Sequence, residues 1–334
     1  MGSVCDTAAE VVDYLNARGE KVGLVKVRLY RPFCPDRLAA AIPPTARRVA
    51  VLDRTREPGA QGEPLYLDVV TALFNAGRAD VTVCGGRYGL GSKDTPPADI
   101  FAVYAELLKA DPRRRFTVGI EDDVTGLSLP IPDAPDTVPA GTLSAKFWGL
   151  NGDGTVSTSK NSIRIIGDHT DKFVQAYFQY DSKKTGGVTV SHLRFGDRPI
   201  GSPYYVKKAD FVACHNPGYL TAGYRIARDV KPGGTLLVNC GWSDEELAAH
   251  LSCAEKRHIA RNHDHAYAPI GPGDAFVRDE HSAPQVAVVH AQLAHADFLE
   301  VLRVLIIRGM RFVHGGTFFS HRPGEEQGFF YHHH

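Results

Sequence analysis

The sequence has no surplus of charge of either sign: Lys and Arg number 38, Asp and Glu 38, and the formal net charge is zero. No global field draws it to nucleic acid or to an anionic membrane, so any phosphate it recognises must be met by local groups. Aromatic residues are few, 9% against 43% hydrophobic overall, a balance that suits an α/β protein and excludes a disordered one. The six cysteines, Cys5, Cys34, Cys84, Cys214, Cys240 and Cys253, form no C-x-x-C pair and no ferredoxin-like run. Reduced thiols are therefore expected, and no cysteine-ligated iron-sulfur cluster. No run approaches the roughly 18 apolar residues of a membrane span. The N-terminus also lacks a basic region followed by an apolar run. The expectation is a cytoplasmic protein with neither a nucleic-acid nor a membrane partner.

At 334 residues there is room for two domains. The chain opens on an amphipathic helix, "CDTAAEVVDYLNARG", with Ala8, Val11, Val12 and Leu15 on one side. A strand normally leads into such a helix in an α/β unit, so the chain is expected to begin inside a domain. "KVGLVKVRLY" reads as a buried strand, "PDRLAAAI" as a helix and "RRVAVLD" as a strand. Helix, strand, helix and strand follow at "LYLDVVTALFNA", "DVTVCGG", "PADIFAVYAELLKA" and "RRFTVGI". This alternation implies a mostly parallel sheet covered by helices. "LSLPIPDAPDTVPA", with four prolines, reads as a linker. Beyond it, "AKFWGL" predicts a strand, "SIRIIGDHTDKFVQAYFQYD" begins as a helix, and "GGVTVSHLRFG" and "ADFVACHN" predict strands. A helix near "LTAGYRIARDV" and a turn and strand at "KPGGTLLVNC" complete the pattern. The fold class is α/β, two domains, each with a mostly parallel sheet flanked by helices.

Two turns carry candidate chemistry. "FWGLNGDGTVSTSKNS" sets three glycines, an Asp and a Lys ahead of a helix, where converging backbone N–H groups suit a phosphate. Gly-Asp-Gly is equally ordinary turn chemistry. "YDSKKTGGVTVSHLRFG" puts Lys183 and Lys184 beside Gly186 and Gly187, which reads as a phosphate contact or as a basic hairpin turn. Two such turns in one α/β domain tend to meet at the same sheet edge. Arg54, Arg56, Glu57 and Glu63 suit either a ligand or a salt-bridged loop packed on another domain. "GGRYGLGSKD" matches neither the dinucleotide fingerprint nor a P-loop. His215 and Asn216 close a predicted strand, and a lone His there is more often structural. All but His169, His192 and His215 of the 15 histidines fall at or after His250, at spacings that fit no standard metal signature.

Taken in order, "VKVRLYRPF", "VAVLDRTREPGAQGEPLYLDV", "GGRYGLGSKD", "FTVGIEDDVT", "GDGTVSTSKNSI", "YDSKKTGGVTVSHLRFG" and "ADFVACHNP" resemble blocks of the homodimeric pyruvate:ferredoxin (flavodoxin) oxidoreductases. The resemblance is close from Met1 to about Trp242 and weaker through "EELAAHLSCAEKRHIA". It implies a transketolase C-terminal-like domain at 1–126, a Pro-rich linker at 127–143 and a gamma-type catalytic domain at 144–266. It further implies oxidative decarboxylation of pyruvate to acetyl-coenzyme A, with electrons passed to ferredoxin or flavodoxin. In that family the second domain takes part in coenzyme A binding. The corresponding positions are Gly149, Asp153, Gly154, Thr155, Lys160 and Asn161 in the glycine loop and its helix, and Lys183 and Lys184 in the basic turn. His215 and Asn216 are their expected neighbours. Asn151 stands where the family has glycine, a position at which Asn can adopt a left-handed conformation, and Gly152 stands where it has serine.

The family's thiamine diphosphate and 4Fe-4S iron-sulfur clusters sit on motifs that this sequence does not contain. By the resemblance, the partners are the remaining domains or chains of the same oxidoreductase, in a homodimer when complete. Rival expectations are a free-standing coenzyme A or nucleotide-binding module and a non-catalytic assembly subunit. From about Tyr267 to His334 the family pattern fades into an Ala-, His-, Arg- and Pro-rich tail that suggests a frameshifted or misassembled gene end. Resequencing the locus tests this, and an uninterrupted read ending at His334 counts against it.

Overall fold

The computed structural model describes residues 1–121, 124–181, 186–253 and 255–256, together with strands at 266–270 and 287–291. The opening helix forms as its periodicity predicts. α1 (Val4–Asn16) buries Val4, Cys5, Ala8 and Val11 along one stripe. There follow α2 (Pro35–Ala41), β1 (Arg48–Asp53), α3 (Pro64–Asn75), β2 (Thr82–Arg87), α4 (Pro97–Leu108) and β3 (Arg115–Thr117). Proline opens α2, α3 and α4, where its missing N–H would have had no helical acceptor and its fixed φ suits the first turn.

The three strands form a parallel sheet in the order β1-β2-β3. Successive side chains point to opposite faces, so Val51 and Val83 pack with Leu38, Leu65 and Val69 of α2 and α3. Cys84 and the half-buried Leu52 pack instead with Val11, Ile100 and Val103 of α1 and α4. One expected strand is missing. Residues 21–30, "KVGLVKVRLY", run without a ladder, and Val25 and Leu29 are exposed. An alternating apolar run becomes a strand only with a neighbour to hydrogen-bond to, and among the described residues β1 pairs with β2 alone.

The described residues between β3 and β4 are irregular apart from a bridge from Thr117 to Ser128, and Leu129 packs into the first core. The second sheet is built from β4 (Leu143–Leu150), β5 (Phe173–Tyr180), β6 (Val188–Gly196), β7 (Ala209–Cys214), β8 (Val230–Val238), β9 (Ala266–Ile270) and β10 (Ala287–Ala291). Their order is β5-β6-β4-β7-β8-β10-β9. The pairs β5/β6 and β6/β4 are antiparallel, and the rest are parallel. α5 (Thr155–His169) covers one face over Phe147, Leu193 and Phe211. The other face packs Val212, Cys214 and Val238 on Tyr219, Ile226 and Leu247. The helix expected near 220–230 is two short pieces: α6 (Gly218–Thr221) and a 3-10 turn at Ile226–Asp229, parted where Gly223 takes φ +84°. α7 (Asp244–His250) starts with a capping box between Ser243 and Glu246.

The two sheets meet through buried polar groups. Ser202 and Tyr204 donate to the Glu10 carboxylate of α1, the latter at 2.7 Å. The Tyr205 amide donates to Asp94 at 3.0 Å. Arg194, 2% exposed, donates to Gln175 and to the Ser202 and Tyr204 carbonyls, which satisfies a cation that burial alone would make costly. Burial raises the Glu10 carboxyl, while its bonds to Ser202 and Tyr204 act against the rise.

Asp99, in the first turn of α4, is pushed up to about 6 by burial, with Lys207 opposing and Asp94 reinforcing the shift. Its folded value lies above the ordinary carboxylate value, so the native state binds more protons across that interval. Stability from this group is complete below the ordinary value and is lost as pH rises through about 6. The isosteric Asp99→Asn variant is expected to be more stable than wild type at pH 7.5 by about 1–3 kcal/mol, with the gap narrowing at pH 5. Urea unfolding followed by circular dichroism at both pH values measures it, and an equal gap at the two values refutes it.

Candidate cofactor-binding site

β4, β7 and β8 run parallel and end together, so the turns after them share one edge. At the end of β4 the chain folds back sharply into α5. A β-carbon on Gly149 would lie within 2.5 Å of the Thr155 β-carbon, so only glycine fits at this approach. Asp153 holds the turn: its carboxylate accepts from the Leu150 amide at 2.6 Å and the Thr155 amide at 2.8 Å. Gly152 and Gly154 take φ of +92° and +86°, the left-handed region that costs glycine nothing. Asn151 does not adopt that conformation, contrary to expectation. Among the described residues Ser92 is the non-glycine with positive φ, and Gly152, one residue later, supplies the left-handed step.

Thr155 begins α5, and its hydroxyl is hydrogen-bonded to His215 Nδ1 at 2.7 Å. His215 is held in turn by its own amide, which donates to the Trp148 carbonyl at 2.9 Å. Asn216 shapes the next turn, accepting from the Gly218 amide at 3.0 Å through its side chain and from the Tyr219 amide at 3.1 Å through its carbonyl. The amides of Val156 and Ser157, next in the first turn of α5, have no acceptor four residues back within the helix. These two donors and the positive end of a 15-residue helix therefore face outward from a preformed turn.

The second turn arrives at the same place. The Asn151 amide donates to the Gly187 carbonyl at 2.9 Å, and the Asp181 amide donates to the Val188 carbonyl at 3.0 Å. The β5–β6 connection is thereby tied to the glycine loop. Lys183 and Lys184 lie within that connection but outside the described residues. Lys160 and Asn161 lie one to two turns along α5, both exposed. Lys160 Nζ sits 5.2 Å from the Phe178 ring of β5, along the helix from its N-terminal end. The structure therefore unites Gly149, Asp153, Gly154, Thr155, His215 and Asn216, and leaves Lys160 and Asn161 on the flank.

Tyr219 had no sequence signal, yet its hydroxyl donates to the Gly149 carbonyl at 2.8 Å and pins the end of β4. Edge-on contacts link Trp148, Tyr219 and Tyr224, with Tyr224 40% exposed. Lys146 is consumed by an ion pair with Asp229 at 2.7 Å. Burial pushes the Cys214 thiol up to about 12, so this residue at the end of β7 stays protonated. In the first domain, Arg54 donates to the Gly89 carbonyl, Glu63 lies 3.5 Å from Arg87, and the buried Asp53 caps α3 through the Leu65 and Tyr66 amides. Among the described residues no group of three His, Cys, Asp or Glu side chains converges as a metal requires, and no helix is long and apolar enough to cross a membrane.

A family profile for pyruvate ferredoxin/flavodoxin oxidoreductase matches residues 144–298, and one for pyruvate:ferredoxin oxidoreductase core domain II matches residues 1–100. The first match runs past Tyr267, into the Ala-, His-, Arg- and Pro-rich tail. The chain is 54% identical to the pyruvate:ferredoxin oxidoreductase of Moorella thermoacetica over 260 residues, 78% of this chain and 22% of that one. It belongs to this family. The pyruvate-flavodoxin oxidoreductase of Klebsiella pneumoniae is likewise 54% identical, over 270 residues that make up 80% of this chain and 23% of that one. The chain thus spans less than a quarter of the length of these curated relatives. A solved structure of the pyruvate oxidoreductase subunit PORC from Thermotoga maritima aligns with 33% of this chain and 56% of its own, at 24% identity and a TM-score of 0.28.

Asp153→Ala removes both amide caps and is expected to destabilise the second domain by about 1–2 kcal/mol. Gly149→Ala, which forces Thr155 away from His215, is expected to cost about 1–3 kcal/mol. Both tryptophans, Trp148 and Trp242, lie in the second domain, so urea unfolding followed by tryptophan fluorescence reads that domain. Wild-type midpoints in both variants would show the turn is held by other contacts.

Proposed function

We propose that this chain is the part of a pyruvate:ferredoxin/flavodoxin oxidoreductase that holds the phosphate groups of coenzyme A, at the edge where β4, β7 and β8 end. The observation that carries the reading is the Asn151 to Gly187 hydrogen bond, which ties the glycine loop to the connection containing Lys183 and Lys184. The Val156 and Ser157 amides supply fixed donors at the positive end of α5. The two lysines supply point charges. Asp153 sets a limit on this site. Its carboxylate already occupies the Leu150 and Thr155 amides, so a phosphate engages the helix one residue further along. Coenzyme A brings a thiol that accepts the acetyl group cleaved from pyruvate.

Oxidation of the substrate belongs to other parts of the enzyme. The buried Cys84, Cys214 and Cys240 do not converge on one point, and burial raises all three thiols. They do not fit an iron-sulfur cluster, which needs thiolates. The partners are the remaining domains or chains of the same oxidoreductase, in a cytoplasmic homodimer, with ferredoxin or flavodoxin as electron acceptor.

Calorimetric titration of the 334-residue chain with coenzyme A is expected to show saturable binding, weakened at least about tenfold by Lys183→Ala/Lys184→Ala and by dephospho-coenzyme A. Absence of binding by a folded sample would overturn the reading and favour a chain whose role is assembly alone. Binding that ignores the double substitution would move the phosphates away from the basic turn.

A further inference from the structure

β5 closes the second sheet at one end. Its ladder to β6 runs through all eight residues without a register shift, and among the described residues nothing pairs with its other edge. The Asp181 amide donates to the Val188 carbonyl, which sets the phase of that ladder. Antiparallel bonds alternate, so Phe173, Gln175, Tyr177 and Gln179 turn their amides and carbonyls to β6, while Val174, Ala176, Phe178 and Tyr180 turn theirs outward. Folded proteins blunt such an edge with a charged side chain, a proline, a bulge or a very short strand. β3, at an end of the first sheet, is three residues long. The strand β5, "FVQAYFQY", has none of these devices, and Phe173, Val174 and Tyr180 are 47%, 38% and 54% exposed.

The strand is also complementary to itself. Two identical antiparallel strands related by a two-fold axis keep each side chain on its own face, so even-numbered residues oppose even and odd oppose odd. With the axis at Tyr177, Tyr180 opposes Val174 and Phe178 opposes Ala176, a large side chain against a smaller one each time. These four lie on the face that α5 covers, where Ala176 packs with Phe147 and Leu193 and Lys160 Nζ sits 5.2 Å from the Phe178 ring. They are also the residues whose backbone groups point outward, so both kinds of pair fall at hydrogen-bonded positions. On the opposite face Gln179 opposes Gln175 and Tyr177 meets its own copy, contacts of the kind that stabilise paired strands. No residue of the strand is charged, so no like charges oppose one another within it.

We propose that the outer edge of β5 is an interface between two copies of this chain, the two β5 strands pairing antiparallel about a two-fold axis at Tyr177 and joining the two second sheets into one. The pairing gives the outward amides and carbonyls of Val174, Ala176, Phe178 and Tyr180 their partners and covers the apolar side chains that the edge exposes. It is independent of the coenzyme A reading: the phosphates are placed at the ends of β4, β7 and β8, whereas the copies meet along the side of β5.

The test uses the whole 334-residue chain. In sedimentation the wild type is expected to run as a dimer. Val174→Lys, which sets a charge on the edge at an already exposed position, is expected to run as a monomer with the wild-type circular dichroism spectrum. Tyr177→Cys faces its own copy at a non-hydrogen-bonded position, where α-carbons lie about 4.5 Å apart, within reach of a disulfide. Mild oxidation is expected to link it into a covalent dimer at least about tenfold faster than wild type, which carries the same exposed Cys34 and Cys253. A wild-type chain that sediments as a monomer overturns the proposal, as does a dimer that Val174→Lys leaves intact. Cross-linking through Ala176→Cys and not through Tyr177→Cys overturns the position of the axis.

Discussion

Gly149 lies against the side chain of Thr155 at a distance that no β-carbon could share, and the second sheet's working edge depends on that contact. It allows α5 to start immediately beside the end of β4. Asp153 then caps both sides of the turn, the Thr155 hydroxyl reaches His215 on the neighbouring strand end, and Tyr219 reaches the Gly149 carbonyl. Each bond fixes a group that would otherwise be an unpaired donor or acceptor at a partly buried position. The helix is left pointing its open amides outward from a turn already in place. A turn held this way needs little reorganisation to meet a ligand.

A second constraint holds the two sheets together. Glu10, Asp94, Arg194, Ser202 and Tyr204 are polar groups in a setting where each would be costly alone. Arg194 does not pair with Glu10 directly in hydrogen-bond terms. It binds the carbonyls of the same segment whose side chains, Ser202 and Tyr204, bind Glu10. A joint of this kind tolerates one geometry, because a shift by one residue would strand several groups at once. His192 belongs to the same region. It stacks on Tyr205 at 4.7 Å and is held neutral, with its value lowered to about 3 by burial and then by Lys146 and Arg194.

Much of this was legible in the chain. The helices α1 to α5 and the strands β1, β2, β4 and β6 follow from periodicity, proline at helix starts and glycine at turns, all local signals. The glycine loop stood out by its residue types, and His215 and Asn216, read at a strand end, do lie beside it, His215 through the Thr155 hydroxyl. Lys160 was read into the site by its neighbours in sequence, yet helical geometry carries it a turn and a half along α5 and onto Phe178. Tyr219 escaped notice because its role exists only across 70 residues of chain. The "KVGLVKVRLY" run shows the same limit from the other side: its alternation is sound, but a strand is a relation between two segments.

By itself the sequence determined the α/β class, the alternation of elements, the family and the two turns worth inspecting, because each is written in side-chain periodicity or in contiguous residues. Only the tertiary structure decided that the glycine loop and the lysine-bearing connection are tied together, that the Asp153 carboxylate takes the Leu150 and Thr155 amides, and that among the described residues β1 pairs on one edge. The tie between the two turns and the pairing of β1 rest on backbone hydrogen bonds between separate segments, and the Asp153 contacts on side-chain bonds that only the folded turn brings into reach. Every residue but proline can donate a backbone bond, and so residue type does not announce it.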